Sequence, residues 1–334
     1  MRIAILGAGA WGTALGQHAA IAHPVRLWTR DPSHARAMRQ DRVNARYLPG
    51  VALRESIAVD ADLGATLEWA SDHGLIVIAS SVAGLRPTIR AVRERLAGAA
   101  EPAPMLWLCK GLERDTGLLP HQVFEQEAPG ATSGALSGPS FAQEVAAGLP
   151  VALTAASVDE RLAGAAVQAF HHGAARIYRS DDLVGVEIGG ALKNVMAVAA
   201  GISDGLALGH NARAALITRG LAEISRFGVA QGARTETFTG LTGLGDLVLT
   251  CTGDLSRNRR VGLGLAAGKP LAQVLAEIGH VAEGVACAPV VHRRARELAV
   301  DLPIVGAVQA VLDGVLDARE AVLSLLAREP KREH

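Results

Sequence analysis

A chain of 334 residues, 49% hydrophobic and 20% charged, has room for two domains with a large buried core and is neither disordered nor fibrous in composition. Its 33 basic and 33 acidic side chains cancel, so no whole-protein field draws it to nucleic acid or an acidic membrane, and 3% aromatics leave few platforms for stacking bases. Cys109, Cys251 and Cys287 are far apart and in no metal-ligand spacing, a pattern of reduced thiols rather than a disulfide framework.

From residue 1 to about 180, short apolar runs alternate with amphipathic stretches. Strands are expected over residues 2–6, 25–28, 75–79, 105–109, 131–136 and 151–155, with helices such as 11–22, 83–96 and 159–170 between them. Alternation of this kind implies a doubly wound parallel sheet covered on both faces, an α/β fold. After Arg179 the strand signals fade. Ala, Leu and Val then recur at helical spacing over 187–200, 212–227, 271–278, 288–298 and 306–312, punctuated by Thr242-Gly243-Leu244-Gly245 and Gly268-Lys269-Pro270. The reading is a doubly wound domain over residues 1–180 and an all-helical domain over 181–334, divided at the polar cluster Arg179-Ser180-Asp181-Asp182. Residues 328–334 are expected to be a solvated, frayed end.

No signal peptide is expected, because the first strand begins almost at Met1. The most apolar stretch, residues 183–208, is broken by Glu187, Lys193 and Asp204 and is dense in glycine, so no membrane span is expected. A cytoplasmic protein is the resulting expectation.

Gly7-Ala8-Gly9-Ala10-Trp11-Gly12 is a full G-x-G-x-x-G between an apolar strand and a helix. The first glycine permits a tight turn, the second lets the backbone approach a pyrophosphate, and the third lets helix and strand pack closely. The helix N-terminus then offers N–H groups and a positive dipole to the phosphates. In this setting the pattern predicts dinucleotide binding. About twenty residues on, the second strand delivers the group that reads the adenosine ribose. Here Arg30 would hold a 2′-phosphate and favour NADP, whereas Asp31 would accept a ribose hydroxyl and favour NAD; Arg30 and NADP are the preferred reading. A solvated Arg-Asp turn is the alternative.

Lys110 follows a strand and faces the crevice where open α/β sheets bind ligands. Gly138-Pro139-Ser140-Phe141-Ala142 follows another strand and opens a helix, a second candidate anion site. Either segment could equally be only a turn. The richest stretch is Glu187-Ile188-Gly189-Gly190-Ala191-Leu192-Lys193-Asn194. Lys193 shares a helical face with Gly189, Gly190 and Ala197, which leaves space for a ligand or another backbone. A desolvated lysine has a lowered pKa suited to acid–base work; a lysine snorkelling to solvent is the plainer alternative. Asp246, on the glycine loop Thr242–Leu247, could orient Lys193 or accept a substrate hydroxyl. Ser256, Arg257 and Asn258 offer clustered donors for a phosphate, or form a solvated basic loop.

Taken in order, GAGAWGTAL, KGLE, GPSFAQEVAAGLP, GGALKNV, TGLGDLVLTCTGDLSRNRRVG and GHVAEGV cover nearly the whole chain. With them the sequence resembles the bacterial NAD(P)-dependent glycerol-3-phosphate dehydrogenases. The resemblance implies a Rossmann domain joined to a helical domain, usually as a homodimer, with substrate in the cleft between them. It implies interconversion of dihydroxyacetone phosphate and sn-glycerol 3-phosphate by hydride transfer, supplying glycerol phosphate for phospholipid synthesis. Lys193 resembles the family's catalytic proton acceptor, with Asp246 beside it. Lys110, Gly138, Ser140, Asp246, Ser256, Arg257 and Asn258 match substrate-contacting positions. Ala10, Trp11, Arg30, Lys110, Ala142, Arg257, Val281 and Glu283 match cofactor-contacting positions; Val281 and Glu283 rest on resemblance alone. One block departs: the family commonly has Pro-Ser-His where this chain has Ser81-Val82-Ala83.

The expected cofactor is NADP or NAD, with NADPH preferred. The expected partners are a small phosphate substrate and a second copy of the chain, with no nucleic acid and no membrane. No metal is expected, since Lys193 can neutralise an alkoxide and no ligand cluster is present. Two rivals stay open on the residues. One is another dehydrogenase of this architecture, acting on a hydroxyacyl thioester, a ketopantoate-like acid or a sugar acid. The other is a non-catalytic NADP-binding sensor, which would keep the turn at Gly7 but have no need of Lys193 or Asp246.

Overall fold

The computed structural model describes residues 1–71, 73–96, 103–279 and 282–329, and its backbone divides into two compact units. The first comprises residues 1–113 and 118–187; the second comprises residues 114–117 and the chain from Ile188 onward.

The first unit opens with β1 (Arg2–Leu6), α1 (Ala10–Ala19), β2 (Val25–Trp28) and α2 (Pro32–Asp41). A small hairpin, β3 (Val43–Asn44) with β4 (Leu48–Ala52), precedes β5 (Ile57–Asp60), α3 (Leu63–Ser71) and β6 (Gly74–Ile78). There follow α4 (Val82–Leu96), β7 (Met105–Trp107), α5 (Pro120–Glu127) and β8 (Ser133–Ser137). The unit ends with α6 (Ala142–Ala146), β9 (Val151–Ala156), α7 (Glu160–Phe170) and β10 (Ala175–Ser180). Eight strands make one sheet in the order β10-β9-β8-β7-β6-β1-β2-β5. Successive side chains of a strand point to opposite faces, and here both faces are covered. Ile3 and Ile5 therefore join one core cluster with Leu15, Val77 and Phe170, while Ala4 and Leu6 join the other with Ile89, Trp107 and Phe124. Double-sided burial is why β1 and β6 read as unbroken apolar runs.

The sheet departs from the expected parallel arrangement at one place, since β9 runs antiparallel to β8. The link between them holds only the single-turn α6, so the chain doubles back instead of making a full helical crossover. Four strands were not expected from the sequence. β3 has two residues, β4 carries Pro49-Gly50, β5 has four residues, and β10 is an edge strand whose Arg176 and Tyr178 face solvent. None presents an apolar run longer than the three residues Ile57-Ala58-Val59 of β5.

The second unit is helical. It takes in most of α8 (Leu183–Gly205), then α9 (Gly209–Val229), a 3₁₀ turn (Thr235–Thr239), a π turn (Leu241–Gly245) and α10 (Asp246–Thr252). α11 (Arg257–Ala266), α12 (Leu271–Ile278), α13 (Glu283–Glu297), α14 (Pro303–Leu312) and α15 (Ala318–Leu326) complete it. By length and apolarity α8 could cross a membrane, but it is almost wholly buried in the protein. It crosses α11 at backbone contact: a Cβ on Gly201 would come 2.0 Å from the Arg259 carbonyl oxygen, and one on Gly262 2.1 Å from that of Val198.

The sequence boundary after Ser180 differs from the observed division, which falls inside α8 between Glu187 and Ile188. Ser180 and Asp182 are a helix-start motif rather than a linker: Ser180 Oγ accepts from Asp182 N at 3.1 Å and Asp182 Oδ1 from Gly185 N at 2.9 Å. The first turns of α8 stay with the sheet through Glu187, whose carboxylate accepts the backbone N–H of His121 at 2.9 Å and meets its ring Nδ1 at 2.5 Å. Burial pushes the Glu187 carboxyl above its usual range.

Candidate active site

In the first unit the three glycines of the N-terminal turn separate by function. Gly7 has φ +131°, and a Cβ there would lie 2.6 Å from the Ala79 carbonyl oxygen. Gly12 allows α1 to sit on the turn, since its Cβ would meet the Gly7 oxygen at 2.1 Å. Gly9 faces open space, with nothing within 4 Å of where a Cβ would be. It is also the N-cap of α1 and no side chain caps that end, so the first-turn N–H groups of Ala10, Trp11 and Gly12 can receive a phosphate. Close packing at the outer glycines and open access at the middle one fit a dinucleotide. Arg30 is exposed just beyond β2, while Asp31 is the N-cap of α2 and accepts from Ser33 N and His34 N.

The loops after β7 and β8 meet at one carbonyl. Lys110 Nζ donates to Gly138 O at 3.1 Å, and Ser140 Oγ donates to the same oxygen at 3.1 Å. Gly138 has φ +135° and lies against the backbone of β9, a conformation that favours glycine. α6, which begins at Ala142, has five residues and no side-chain cap. A dipole that short contributes little to anion binding, so the charge at this loop comes from Lys110. In the departing block, Ser81 precedes α4 and Val82 lies on Gly111, next to Lys110.

In the second unit, α8 carries Lys193 into a buried site. Its ammonium donates to Asp246 Oδ1 at 2.5 Å and to Thr250 Oγ1 at 3.0 Å, with Lys193 8% exposed and Asp246 0%. The lysine does not snorkel to water. Two further features hold the triangle. The π turn delivers Asp246 to the start of α10, and Thr250 sits one turn along, its Oγ1 donating to the Asp246 carbonyl at 2.6 Å. Gly189 makes room for that turn rather than for a ligand, since its Cβ would be 2.4 Å from the Thr242 oxygen. Burial alone favours a neutral amine, but the adjacent carboxylate favours the ammonium, which is the proton-donating form. Of the two roles expected for Asp246, the contact made is the one to Lys193.

Beside the triangle runs a second chain of polar groups. Asn258 Nδ2 donates to Asn194 Oδ1 at 2.9 Å, Asn194 Nδ2 to Glu283 Oε2 at 3.3 Å, and Gly284 N to Asn258 Oδ1 at 2.9 Å. Both ends of the Asn258 amide are thus engaged in joining α8, α11 and α13. Ser256 caps α11, its Oγ accepting from Arg259 N at 3.2 Å, and Arg257 is exposed at the first helical position. Of the three expected phosphate donors, Arg257 is exposed, while Ser256 and Asn258 are buried. Val281 lies outside the described residues. Thr250 and Asn194 were not singled out from the sequence; the i, i+4 spacing of Thr250 from Asp246 was the available signal.

A glycine turn of this geometry on a doubly wound sheet, followed by a helical unit that buries a lysine on a carboxylate, defines a Rossmann-type dehydrogenase using a nicotinamide dinucleotide. Within that class the chain belongs to the NAD-dependent glycerol-3-phosphate dehydrogenase family. The family's N-terminal part matches residues 2–163 and its C-terminal part residues 182–323. The chain is 58% identical over 335 aligned positions to the glycerol-3-phosphate dehydrogenase (NAD(P)+) of Burkholderia cenocepacia strain HI2424, covering 100% of both. The crystal structure of glycerol-3-phosphate dehydrogenase from Coxiella burnetii superposes with a TM-score of 0.93 at 40% identity, over 98% of this chain and 99% of that one. A D-mandelate dehydrogenase, at 13% identity and a TM-score of 0.59 over 94% of this chain and 98% of that one, shares the fold alone.

Proposed function

We propose that the chain interconverts dihydroxyacetone phosphate and sn-glycerol 3-phosphate, with Lys193 as the proton-transfer group. The observation that carries this reading is the buried Lys193–Asp246–Thr250 triangle. In the reducing direction the Lys193 ammonium donates a proton to the carbonyl oxygen as negative charge develops there; in reverse the amine takes it back. Asp246 keeps the lysine charged and aimed, and Thr250 limits its rotation. Arg257, with Ser256 and the N-terminus of α11, holds the substrate phosphate and so orients the carbonyl. Asn258 and Asn194 hold that wall in shape. Lys110 and Ser140 add donors at the Gly138 loop.

Gly7, Gly9, Ala10, Trp11, Gly12 and Arg30 would hold the dinucleotide, with Lys110, Ala142, Arg257 and Glu283 also assigned to it by resemblance. When bound it supplies or accepts the hydride. Arg30, together with the engagement of Asp31 as a helix cap, supports NADPH as the preferred form. The wider role follows from the product: glycerol phosphate for phospholipid synthesis, made by a cytoplasmic homodimer. A non-catalytic sensor would have no use for a buried lysine–carboxylate pair.

The reading is tested by initial rates with dihydroxyacetone phosphate and unphosphorylated dihydroxyacetone, using NADPH and NADH side by side. Lys193→Ala should lower kcat by roughly a hundredfold or more. Turnover like that of the wild type in this variant, or equal use of the unphosphorylated ketone, would sink the assignment.

A further inference from the structure

In a Rossmann fold the residue just after the second strand normally accepts a ribose hydroxyl. Asp31 stands there but is already occupied. Its Oδ1 accepts from Ser33 N at 2.9 Å, His34 N at 3.3 Å and Ser33 Oγ at 2.6 Å, and these bonds hold the carboxyl below its usual range. Its Oδ2 lies 3.9 Å from Arg46 Nη1. Arg46 comes from a different element, the turn of the β3–β4 hairpin.

That hairpin is fastened to the glycine turn. Asn44, fully buried, donates Nδ2 to the carbonyl of Ala8 at 2.9 Å and to Thr13 Oγ1 at 2.8 Å. Its Oδ1 accepts the Tyr47 N–H at 3.2 Å, which shapes the hairpin turn. The Arg46 guanidinium lies over the Tyr47 ring, 5.0 Å from its centroid, and His34 of α2 stands edge-on to that ring at 5.5 Å. One buried amide therefore links the loop under the pyrophosphate to the turn that carries Arg46. The cation is held by a hydrogen-bonded root and a stacked ring, which reduces the entropy lost on engaging a ligand.

We propose that the β3–β4 hairpin is part of the cofactor site and that Arg46, with Arg30, reads the 2′-phosphate of NADPH. This rests on the reading of NADPH as the preferred cofactor. The Arg46 guanidinium lies beside Asp31, and the exposed Arg30 is its neighbour in the chain, so a phosphate placed there can accept charge-assisted, two-pronged hydrogen bonds. Asp31 acts as a placeholder for Arg46, an anion that the 2′-phosphate displaces.

The test is titration calorimetry of the full chain with 2′,5′-ADP and with 5′-ADP, which differ only in the 2′-phosphate. The wild type should bind 2′,5′-ADP more tightly. Arg46→Ala should weaken 2′,5′-ADP by about tenfold, the value of one charge-assisted hydrogen bond, and leave 5′-ADP within about twofold. Asp31→Asn keeps an oxygen to cap α2 and removes the competing charge, so it should tighten 2′,5′-ADP. An unaltered melting temperature shows that each variant is folded. If the wild type discriminates and Arg46→Ala still does so fully, or loses both ligands equally, the role of Arg46 is overturned while the NADPH reading stands. If the wild type binds both ligands alike, that reading falls and the inference with it.

Discussion

Lys193 and Asp246 illustrate how much of a residue's chemistry is set by a single neighbour. Burial disfavours the charged form of a lysine, and the Asp246 carboxylate at 2.5 Å favours it. Removing the charge of the partner leaves the ammonium buried and unpaired, so Asp246→Asn should lower both kcat and the melting temperature. Thr250→Val, close in shape, removes the acceptor of the Lys193 ammonium and a donor to the Asp246 carbonyl, and should reduce kcat by about tenfold with a smaller loss of stability than Asp246→Asn, as steady-state rates and thermal melts would show. The turn glycines permit a sharper comparison. Gly7→Ala forces a side chain into φ +131° and onto the Ala79 backbone, so it should destabilise the fold. Gly9→Ala meets nothing within 4 Å, so its melting temperature should stay near that of the wild type while dinucleotide affinity drops at least tenfold. An equal loss of stability in the two variants would remove the distinction between packing and binding glycines.

Among elements, the crossing of α8 and α11 positions the start of α11, where the substrate phosphate is proposed to bind. Gly201 and Gly262 let the two backbones touch, and Asp204 near the end of α8 clamps Arg259 of α11 at 2.8 Å. α11 begins with Arg257 after its cap Ser256, so a shift at this crossing moves the proposed phosphate donors. Gly262→Ala should therefore cost roughly 1–3 kcal/mol and raise KM for the phosphate substrate more than it lowers kcat. A melt combined with Michaelis curves would check both halves of that expectation. α8 was legible in part because Ala, Leu and Val recur at helical spacing, and the bounds of α12 were read to the residue; α11, with its polar first turn, was not expected as a helix. The closeness of the crossing was not legible, because a glycine in a helix looks the same whether it touches a backbone or water. The β3–β4 hairpin was missed for a related reason. Its role comes from the single buried side chain of Asn44, which leaves no periodic trace.

For the whole molecule, the pH response between 5 and 8 draws on groups whose pKa the fold shifts, among them two stacked histidines and a buried glutamate. In the first unit His18 and His172 stack at 4.3 Å, and desolvation lowers the pKa of both. Stability from these neutral imidazoles is present above about pH 6.5 and is lost as pH falls through their depressed values. In the second unit Glu223 accepts the N–H groups of Ile304 and Val305 at the start of α14, and burial pushes its carboxyl up to about 7. Its contribution has the opposite sign: full below about pH 4.5, lost as pH rises through 7. Calorimetric melts from pH 5 to 8 should therefore show an acid loss that His172→Gln reduces and a loss on raising the pH from 5 to about 7 that Glu223→Gln reduces. Melting temperatures that change in parallel for wild type and variants would remove these groups as the cause. The sequence by itself determined the two-part α/β and helical plan and the glycine turn, and singled out Lys193, Asp246 and Arg257 as candidates, because periodicity and short motifs are local. Only the tertiary structure decided that Lys193 is paired, that Asn258 builds a wall, that Asp31 is a helix cap and that β9 runs backwards. Each of those depends on groups distant in sequence meeting at hydrogen-bond range, and no local pattern encodes such a meeting.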